Sequence, residues 1–363
     1  MELTIAGGCG EHGRNCFYFS NGYHGIIVDC GLKAGDTDCY PHLTPSQIHH
    51  ASHLLLTHSH GDHSGALAWL LQQGFQGAIV LTTPTLEQLN CERITNKIIL
   101  LDETTAPLQS LMLTEYLSVI WGRSGHCAGS CWYKIVYEDK TILCSGDYVH
   151  GSLCYSCDEI NGHNADLAIL DAAYSPCTLT GKEMRSTFVS KAAELLAKRS
   201  ILLLPVPKYG RGLEMLLALK PLLRTYQVYG DKHFLSQLHK LYTNAGWLLP
   251  DALRHLQSTT VESFDYTASL LPGIYFISDP QLKRPENFQL VRKLSHTGYA
   301  LSSGHLEPMS NGETLAGQGL LQQCPYPIHG NDEQLLSLKE RNSFNIVIAN
   351  HSPNLVYPEK ISF

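Results

Sequence analysis

One short stretch of the chain concentrates side chains that bind metal ions, Thr57-His58-Ser59-His60-Gly61-Asp62-His63. An apolar run long enough for a buried strand precedes it, and apolar residues at helical spacing follow it. Imidazoles and carboxylates are ordinary zinc ligands and acceptable ones for manganese or iron. A single histidine would mean little among the 19 in the chain, but four ligand-type side chains in this one strand-to-helix turn predict a metal site. His58 and His60 can face one ion while Asp62 and His63 face another.

Two further ligand candidates stand downstream, each just after a predicted strand. His126 lies in a glycine-containing loop, 124–130, where glycine lets the backbone turn tightly. Asp147 follows the next strand, in Leu143-Cys144-Ser145-Gly146-Asp147. Either residue alone would be read as a turn residue, but both at strand ends after the His-rich loop indicate one extended site.

The elements around these residues can be predicted from local patterns. Residues 2–30 alternate short apolar runs with Gly-rich turns, which predicts β-strands, with Asp29 at the end of one. Thr44 is expected to cap a short helix with Pro45 in its first turn. A strand then leads into residues 57–63, called the metal loop below. Residues 77–82 predict another strand, and residues 86–100 a helix.

Bulk composition bounds the class of protein. A chain of 363 residues, 44% of them hydrophobic, can form two domains or one large interrupted domain. The net charge of −7 argues against indiscriminate binding to nucleic acid but leaves a local groove open. No apolar run is long enough for a membrane span, and the N-terminus has no basic-then-apolar pattern of a secretion signal. We therefore expect a cytoplasmic protein without membrane contact, whose twelve cysteines are reduced thiols.

The ordered set His58-x-His60-x-Asp62-His63, His126 and Asp147 resembles the metallo-β-lactamase fold, a four-layered αββα sandwich with metals at one sheet edge. Asp29 matches its first motif, an aspartate that orients the metal loop from behind the ligands. Two further stretches, 7–16 (GGCGEHGRNC) and the strand ending at Asp171, are similar to those of the β-CASP nucleases. That family includes the RNA 3′-end-processing endonuclease, bacterial ribonuclease J and the DNA-repair nuclease Artemis.

In this family a cap domain is inserted after the strand that ends in the acidic residue, here Asp171. The chain has room for such a domain after this strand. Strands alternate there with helical stretches, at 184–199, 211–223 and 233–245, which predicts a parallel, doubly wound, Rossmann-like α/β sheet. The resemblance then implies a first metallo-β-lactamase part at 1–177, an inserted β-CASP cap at 178–318 and a return segment at 319–363.

The resemblance also implies roles for individual residues. One ion would be held by His58, His60 and His126, and the second by Asp62, His63 and His351, with Asp147 bridging. His329, supported by Asp171, would protonate the leaving 3′ oxygen. Lys208 and Arg211 would contact the substrate backbone.

The implied activity is hydrolysis of phosphodiester bonds in single-stranded nucleic acid by two divalent ions, zinc or alternatively manganese. RNA is favoured over DNA because DNA-directed relatives tend to carry an apolar residue at the position of His351, although a DNA-directed β-CASP nuclease stays an alternative. A hydrolase of a small ester, thioester or lactone would share the metal loop but has no reason to carry the insertion. A non-catalytic scaffold would have lost ligands, whereas every expected position is filled. Protein partners, including self-association as a homo-oligomer, stay open.

Overall fold

The computed structural model describes residues 1–89, 91, 94–294 and 296–363. Its strands are β1 (Glu2–Gly7), β2 (Cys16–Ser20), β3 (Gly25–Val28), β4 (Ala51–Leu55), β5 (Ala78–Leu81), β6 (Ile98–Leu100), β7 (Ser110–Thr114), β8 (Leu117–Arg123), β9 (Cys131–Tyr137), β10 (Lys140–Cys144), β11 (Asn164–Asp171), β12 (Ile201–Pro205), β13 (Gln227–Gly230), β14 (Val261–Ser263), β15 (Gly273–Ile277), β16 (Tyr299–Ser302), β17 (Leu321–Gln323), β18 (Ser343–Asn350) and β19 (Lys360–Ser362). Its helices are α1 (Pro45–His50), α2 (Gly61–Ser64), α3 (Leu67–Gln72), α4 (Thr83–Gln88), α5 (Leu101–Thr104), α6 (Gly181–Lys198), α7 (Arg211–Ala218), α8 (Lys232–His239), α9 (Pro250–Ser258), α10 (Pro285–Leu294), α11 (Asn311–Gly317) and α12 (Asp332–Arg341).

The described chain divides into two compact units. The first unit comprises Met1–His150, Cys157–Thr178 and His329–Phe363, and the second comprises Gly151–Ser156 and Leu179–Ile328. Strand β17 pairs in parallel with β16, so it belongs to the sheet of the second unit. The second unit therefore extends past residue 318, where the insertion was expected to end.

The first unit contains two sheets. One has the strand order β19-β1-β2-β3-β4-β5-β6, and the other has the order β18-β11-β10-β9-β8-β7. Strands β3 to β6 are parallel to one another, as are β10, β11 and β18. Because parallel strands end at the same edge of a sheet, the loops that follow them are brought together there.

The outer face of the first sheet is covered by short helices. Helix α1 begins as predicted: the Thr44 side chain accepts a hydrogen bond from the Gln47 amide, and Pro45 occupies the first turn. Ile48 of α1 packs in one buried cluster with Leu67 and Leu70 of α3 and with sheet residues such as Leu54. Burial of this apolar face fixes the strand from which the metal loop departs.

The two sheets of the first unit meet beneath the metal loop. The Tyr133 hydroxyl donates to the Leu56 carbonyl at 2.8 Å, and the Cys131 amide donates to the Thr57 carbonyl at 2.9 Å. Strand β9 thus holds the start of the loop from the opposite sheet. On the outer side of that sheet, Leu338 of α12 packs with Trp132 and other buried residues.

The second unit contains the predicted parallel sheet, with the strand order β14-β13-β15-β12-β16-β17. Its first helix, α6, starts with a capping box in which Thr180 accepts from the Glu183 amide. The helix predicted at 211–223 is shorter, since α7 ends at Ala218. The chain then tightens into a 3₁₀ turn, Lys220–Arg224, which has a proline near its start.

The helix predicted over residues 86–100 is confirmed only over residues 86–88 and is wrong in the rest of its described part. Helix α4 starts earlier, because Thr82 caps it, and it ends at Gln88. At the far end of the predicted helix, the apolar run Ile98–Leu100 forms β6 and pairs with β5, in keeping with the strand preference of its two β-branched isoleucines. Residues 90, 92 and 93 of this prediction lie outside the described residues.

Among the helices within the described ranges, none combines the length and the apolar character needed to cross a lipid bilayer.

Candidate metal centre

Strand ends bring the candidate ligands together in the first unit. Asp29 follows β3 and the His-rich loop follows the neighbouring parallel strand β4. In the other sheet, Asp147 follows β10, Asp171 ends β11 and His351 follows β18, and these three strands are parallel neighbours. Asp29 and His351 both adopt the left-handed backbone conformation, with φ of 59° and 66°. Such backbone strain in a non-glycine residue is typical of functional sites.

Asp29 anchors the loop from behind. One carboxylate oxygen accepts from the Thr57 amide at 2.8 Å, and the other accepts from Nδ1 of His63 at 2.7 Å. With Nδ1 carrying the proton, the Nε2 atom of His63 is the nitrogen that can bind an ion. The position of Asp29 fits the orienting role that the resemblance implies.

The first group of ligand-type atoms comes from three histidines and an aspartate, His58, His60, His126 and Asp147. The Nε2 atoms of His58 and His126 lie 3.4 and 3.3 Å from Oδ2 of Asp147. Nδ1 of His60 lies 3.1 Å from Nε2 of His126. All four ligand atoms lie within 4.8 Å of one another, which suits a single ion.

The second group consists of Asp62, His63 and His351. Nε2 of His351 lies 2.8 Å from a carboxylate oxygen of Asp62. Asp147 faces this group as well as the first, because its Oδ1 atom lies 3.1 Å from Nε2 of His63 and 3.3 Å from Nδ1 of His351. One oxygen of Asp147 is thus turned to each group.

Unpaired buried atoms indicate that an ion belongs between these side chains. Among the side chains that the structure describes, Nε2 of His58, both oxygens of Asp147 and Nδ1 of His351 are buried without a hydrogen-bond partner. A buried polar group without a partner costs about 1–3 kcal/mol, and more when it is charged. Nitrogen and carboxylate donors in this arrangement fit a divalent metal ion.

Within the protein chain itself, the carboxylates control the protonation of the histidines. Burial by itself lowers the pKa of His351, but the nearby charge of Asp147 and the hydrogen bond to Asp62 outweigh it and raise that pKa to about 10. Burial, together with the neighbouring His60 and His58, instead places the pKa of His126 well below its usual value. Burial alone would raise the pKa of Asp147, but the surrounding histidines hold it well below its usual range.

His329 lies just before α12 and forms a third group of ligand-type atoms with Asp147, Asp171 and His351, again within 4.8 Å of one another. Its Nδ1 atom is 3.4 Å from Oδ2 of Asp171 and 3.5 Å from Oδ2 of Asp147. The same Asp171 oxygen accepts from the Gly330 amide at 2.8 Å, which fixes the loop that carries the histidine. The ring of Tyr174 packs edge-on against His329 with centroids 5.3 Å apart. These contacts set the direction in which the imidazole faces.

The structure places Lys208 and Arg211 in the second unit, after β12. The Lys208 side chain is exposed, with its ammonium 5.2 Å from the centroid of the Tyr209 ring. Arg211 begins α7, and its guanidinium packs against Gly304, where a Cβ atom would overlap it.

Sequence reasoning missed Asn15, which touches the second group, and Asn350, which touches Asn15. Asn15 contacts Asp62 and His63, and Asn350 donates to the side chain of Asn15 at 3.1 Å. Asn15 stands in the stretch 7–16, whose similarity to the β-CASP nucleases was the only signal for it in the sequence. The position of Asn350 beside His351 was the other available signal.

Comparison with known proteins shows which families and proteins this chain resembles. Residues 9–174 match the Metallo-beta-lactamase superfamily. The chain is 26% identical to transcription termination factor FttA of Cenarchaeum symbiosum over 250 residues, which are 60% of this chain and 39% of that protein. It is 26% identical to the probable RNase MJ4 of Methanocaldococcus jannaschii over 249 residues, which are 60% of this chain and 56% of that protein.

A third relative is cleavage and polyadenylation specificity factor 73 of Drosophila melanogaster, 23% identical over 242 residues, or 60% of this chain and 35% of that protein. The chain therefore spans less than two thirds of the length of each of these relatives. A crystal structure of a protein of unknown function from Enterococcus faecalis V583 superimposes with a TM-score of 0.58 at 12% identity and covers 99% of both chains. With the family match, this likeness confirms the predicted fold class, a metallo-β-lactamase sandwich with an inserted α/β cap.

Proposed function

Because this chain belongs to the β-CASP group of the metallo-β-lactamase superfamily, we propose that it is a metal-dependent phosphodiesterase that hydrolyses single-stranded RNA. The observation that carries the proposal is the convergence of Asp147 on two groups of ligand atoms, with His329 beside them. Ribonuclease chemistry is also in the names of relatives, such as the probable RNase of M. jannaschii.

Two divalent ions are proposed, with zinc first and manganese as the alternative. His58, His60 and His126 would hold one, Asp62, His63 and His351 would hold the other, and Asp147 would serve both. When bound, such ions would lower the pKa of a water molecule and stabilise negative charge on phosphoryl oxygens. Within each group the donor atoms lie within 4.8 Å of one another, which supports one ion per group.

The protein's own residues supply the rest of the chemistry. Because Nδ1 of His329 is turned toward Asp171 and Asp147, the proton that the ring can deliver is the one on Nε2. We assign that proton to the leaving 3′ oxygen of the substrate. Asp171 holds the ring in this orientation. General acid catalysis of this kind contributes about 10²–10⁴-fold.

Contact with the substrate backbone is assigned to Lys208 and Arg211 in the second unit. The exposure of Lys208 supports its part, since an exposed ammonium can pair with a phosphate at little desolvation cost. The proposed compartment is the cytoplasm, where reducing conditions preserve the free thiols.

The test is incubation of the purified chain with 5′- and 3′-labelled single-stranded RNA and DNA of one sequence, in zinc or manganese. We expect cleavage of RNA in preference to DNA, lost in the Asp62→Ala variant. A panel of thioesters, esters and lactones is assayed in parallel. Turnover of a small ester without any cleavage of RNA would overturn the proposal in favour of a small-molecule hydrolase.

A further inference from the structure

We propose that Asn15 is a positioning residue for the ion-binding group of Asp62, His63 and His351. It joins the metal loop of one sheet to the strand end of the other, so that their ligand atoms stand ready for one ion. The inference rests on the two-ion site proposed above but not on the identity of the substrate.

Asn15 fixes the backbone of the metal loop. The residue is fully buried, with 0% of its surface exposed. Its backbone amide donates to the Asp62 carbonyl at 2.8 Å, and its side-chain Nδ2 donates to the same oxygen at 3.1 Å. Two donors from one residue on a single carbonyl determine the orientation of the Asp62 peptide. They thereby set the direction in which the Asp62 side chain leaves the loop.

The same amide group also faces the ring of His63. Nδ2 of Asn15 lies 3.0 Å from Nε2 of His63, while Nδ1 of that ring donates to Asp29 at 2.7 Å. An amide N–H can donate to Nε2 only while the lone pair of that nitrogen is free, so an ion bound there would displace this contact and leave the Asn15 amide on the Asp62 carbonyl. The contact places the metal-binding nitrogen of His63 beside the carboxamide that holds the Asp62 peptide, while Asp29 holds the ring from Nδ1.

The other end of the carboxamide reaches the strand that carries His351. Oδ1 of Asn15 accepts from Nδ2 of Asn350 at 3.1 Å. The amide of His351 in turn donates to the Gly8 carbonyl at 2.8 Å. One buried side chain thus contacts the Asp62 peptide, the His63 ring and Asn350, the residue before His351. It does so although β4 and β18 belong to different sheets.

Close packing around Asn15 supports a specific role. Gly8 has a φ of +92°, and a Cβ atom there would lie 2.5 Å from Oδ1 of Asn15. A Cβ atom on Gly31 would overlap the Asp62 carbonyl that Asn15 binds. Both glycines leave room for the carboxamide and for the peptide that it holds.

The test is cobalt(II) titration of the full chain after removal of metal by a chelator, followed by visible absorption. The native chain is expected to bind two equivalents. In Asn15→Ala one equivalent should weaken about 10–100-fold, the usual effect of losing a residue that orients a ligand, while the other stays unchanged. It should be the same equivalent that His351→Ala weakens. Asn345→Ala, at an exposed asparagine bonded only loosely to Asp166 at 3.4 Å, is the matched control.

Several outcomes would overturn the proposal. If Asn15→Ala loses both equivalents equally, or neither, Asn15 has no specific role at this group. If the alanine variant does not fold by circular dichroism, Asn15→Ser carries the same test with the same criterion. A native chain that binds a single cobalt equivalent would contradict the two-ion site itself. Two equivalents with an unaltered Asn15→Ala variant would contradict only the role of Asn15.

Discussion

Nε2 of His351 lies 2.8 Å from Oδ2 of Asp62, although 289 positions of sequence separate the two residues. Asp62 lies in the first turn after β4, and His351 follows β18 in the other sheet. An ion held by both residues would bridge the edges of the two sheets. Metal binding should therefore stabilise the packed sandwich as well as support catalysis.

Replacement of His351 by alanine should weaken one ion selectively. The second group would keep Asp62 and His63, whereas the first group would keep all of its ligands. We expect one metal equivalent to be lost from the purified variant and a smaller rise in Tm on addition of zinc than in the native chain. Metal analysis and thermal unfolding measure both. Two tightly held ions in this variant would remove His351 from the ligand set.

Replacement of His329 by alanine should separate catalysis from metal binding. Its ring is assigned to proton delivery, so we expect a loss of about 10²–10⁴-fold in kcat with both ions retained. Activity on labelled RNA and metal content of the same preparation are the measurements. His50→Ala, at an exposed position of α1, is the matched control and should retain full activity. Loss of metal in the His329 variant would contradict the assignment.

The variant Asp29→Asn should change the tautomer of His63. An asparagine that kept its oxygen on the Thr57 amide would turn its N–H toward Nδ1 of His63. The native carboxylate instead accepts a hydrogen bond from that nitrogen. The ring would then carry its proton on Nε2, the nitrogen that would otherwise bind the ion. We expect metal affinity to fall about 10–100-fold, measured by competition with a chelator. Asp36→Asn, at an exposed aspartate, is the control, and an affinity within twofold of the native value in Asp29→Asn would contradict this account.

Metal binding should release protons. The pKa of His351 is raised to about 10, so at neutral pH its ring carries a proton that an incoming ion must displace. The affinity should therefore increase with pH, by about tenfold per pH unit for each displaced proton, and His63 should contribute too, because Asp147 and Asp29 outweigh burial and hold its pKa well above its usual value. Calorimetry in two buffers of different ionisation enthalpy counts the protons. The number should fall by about one in His351→Ala, and a binding enthalpy independent of the buffer would refute the prediction.

The sequence alone was sufficient for whatever is local. Ligand spacing in 58–63 predicted a metal loop, since all of its donors leave one short turn. The Thr44 cap and the apolar strands on either side of the loop were equally visible, because capping and burial depend on neighbours within a few positions. The alternation of strands and helices after Thr178 predicted the parallel sheet of the second unit for the same reason.

Only the tertiary structure decided which distant residues meet. Periodicity shows which face of a strand is buried but not which strands are neighbours, so the pairing of β18 with β11 and of β12 with β15 could not be read from it. The pairing of β18 with β11, and of β11 with β10, brings His351 and Asp171 to Asp147. The role of Asn15 was hidden for the same reason, because a polar residue in a Gly-rich stretch acquires partners only when the two sheets close around it. The helix predicted at 86–100 failed where pairing with β5 overrode local pattern.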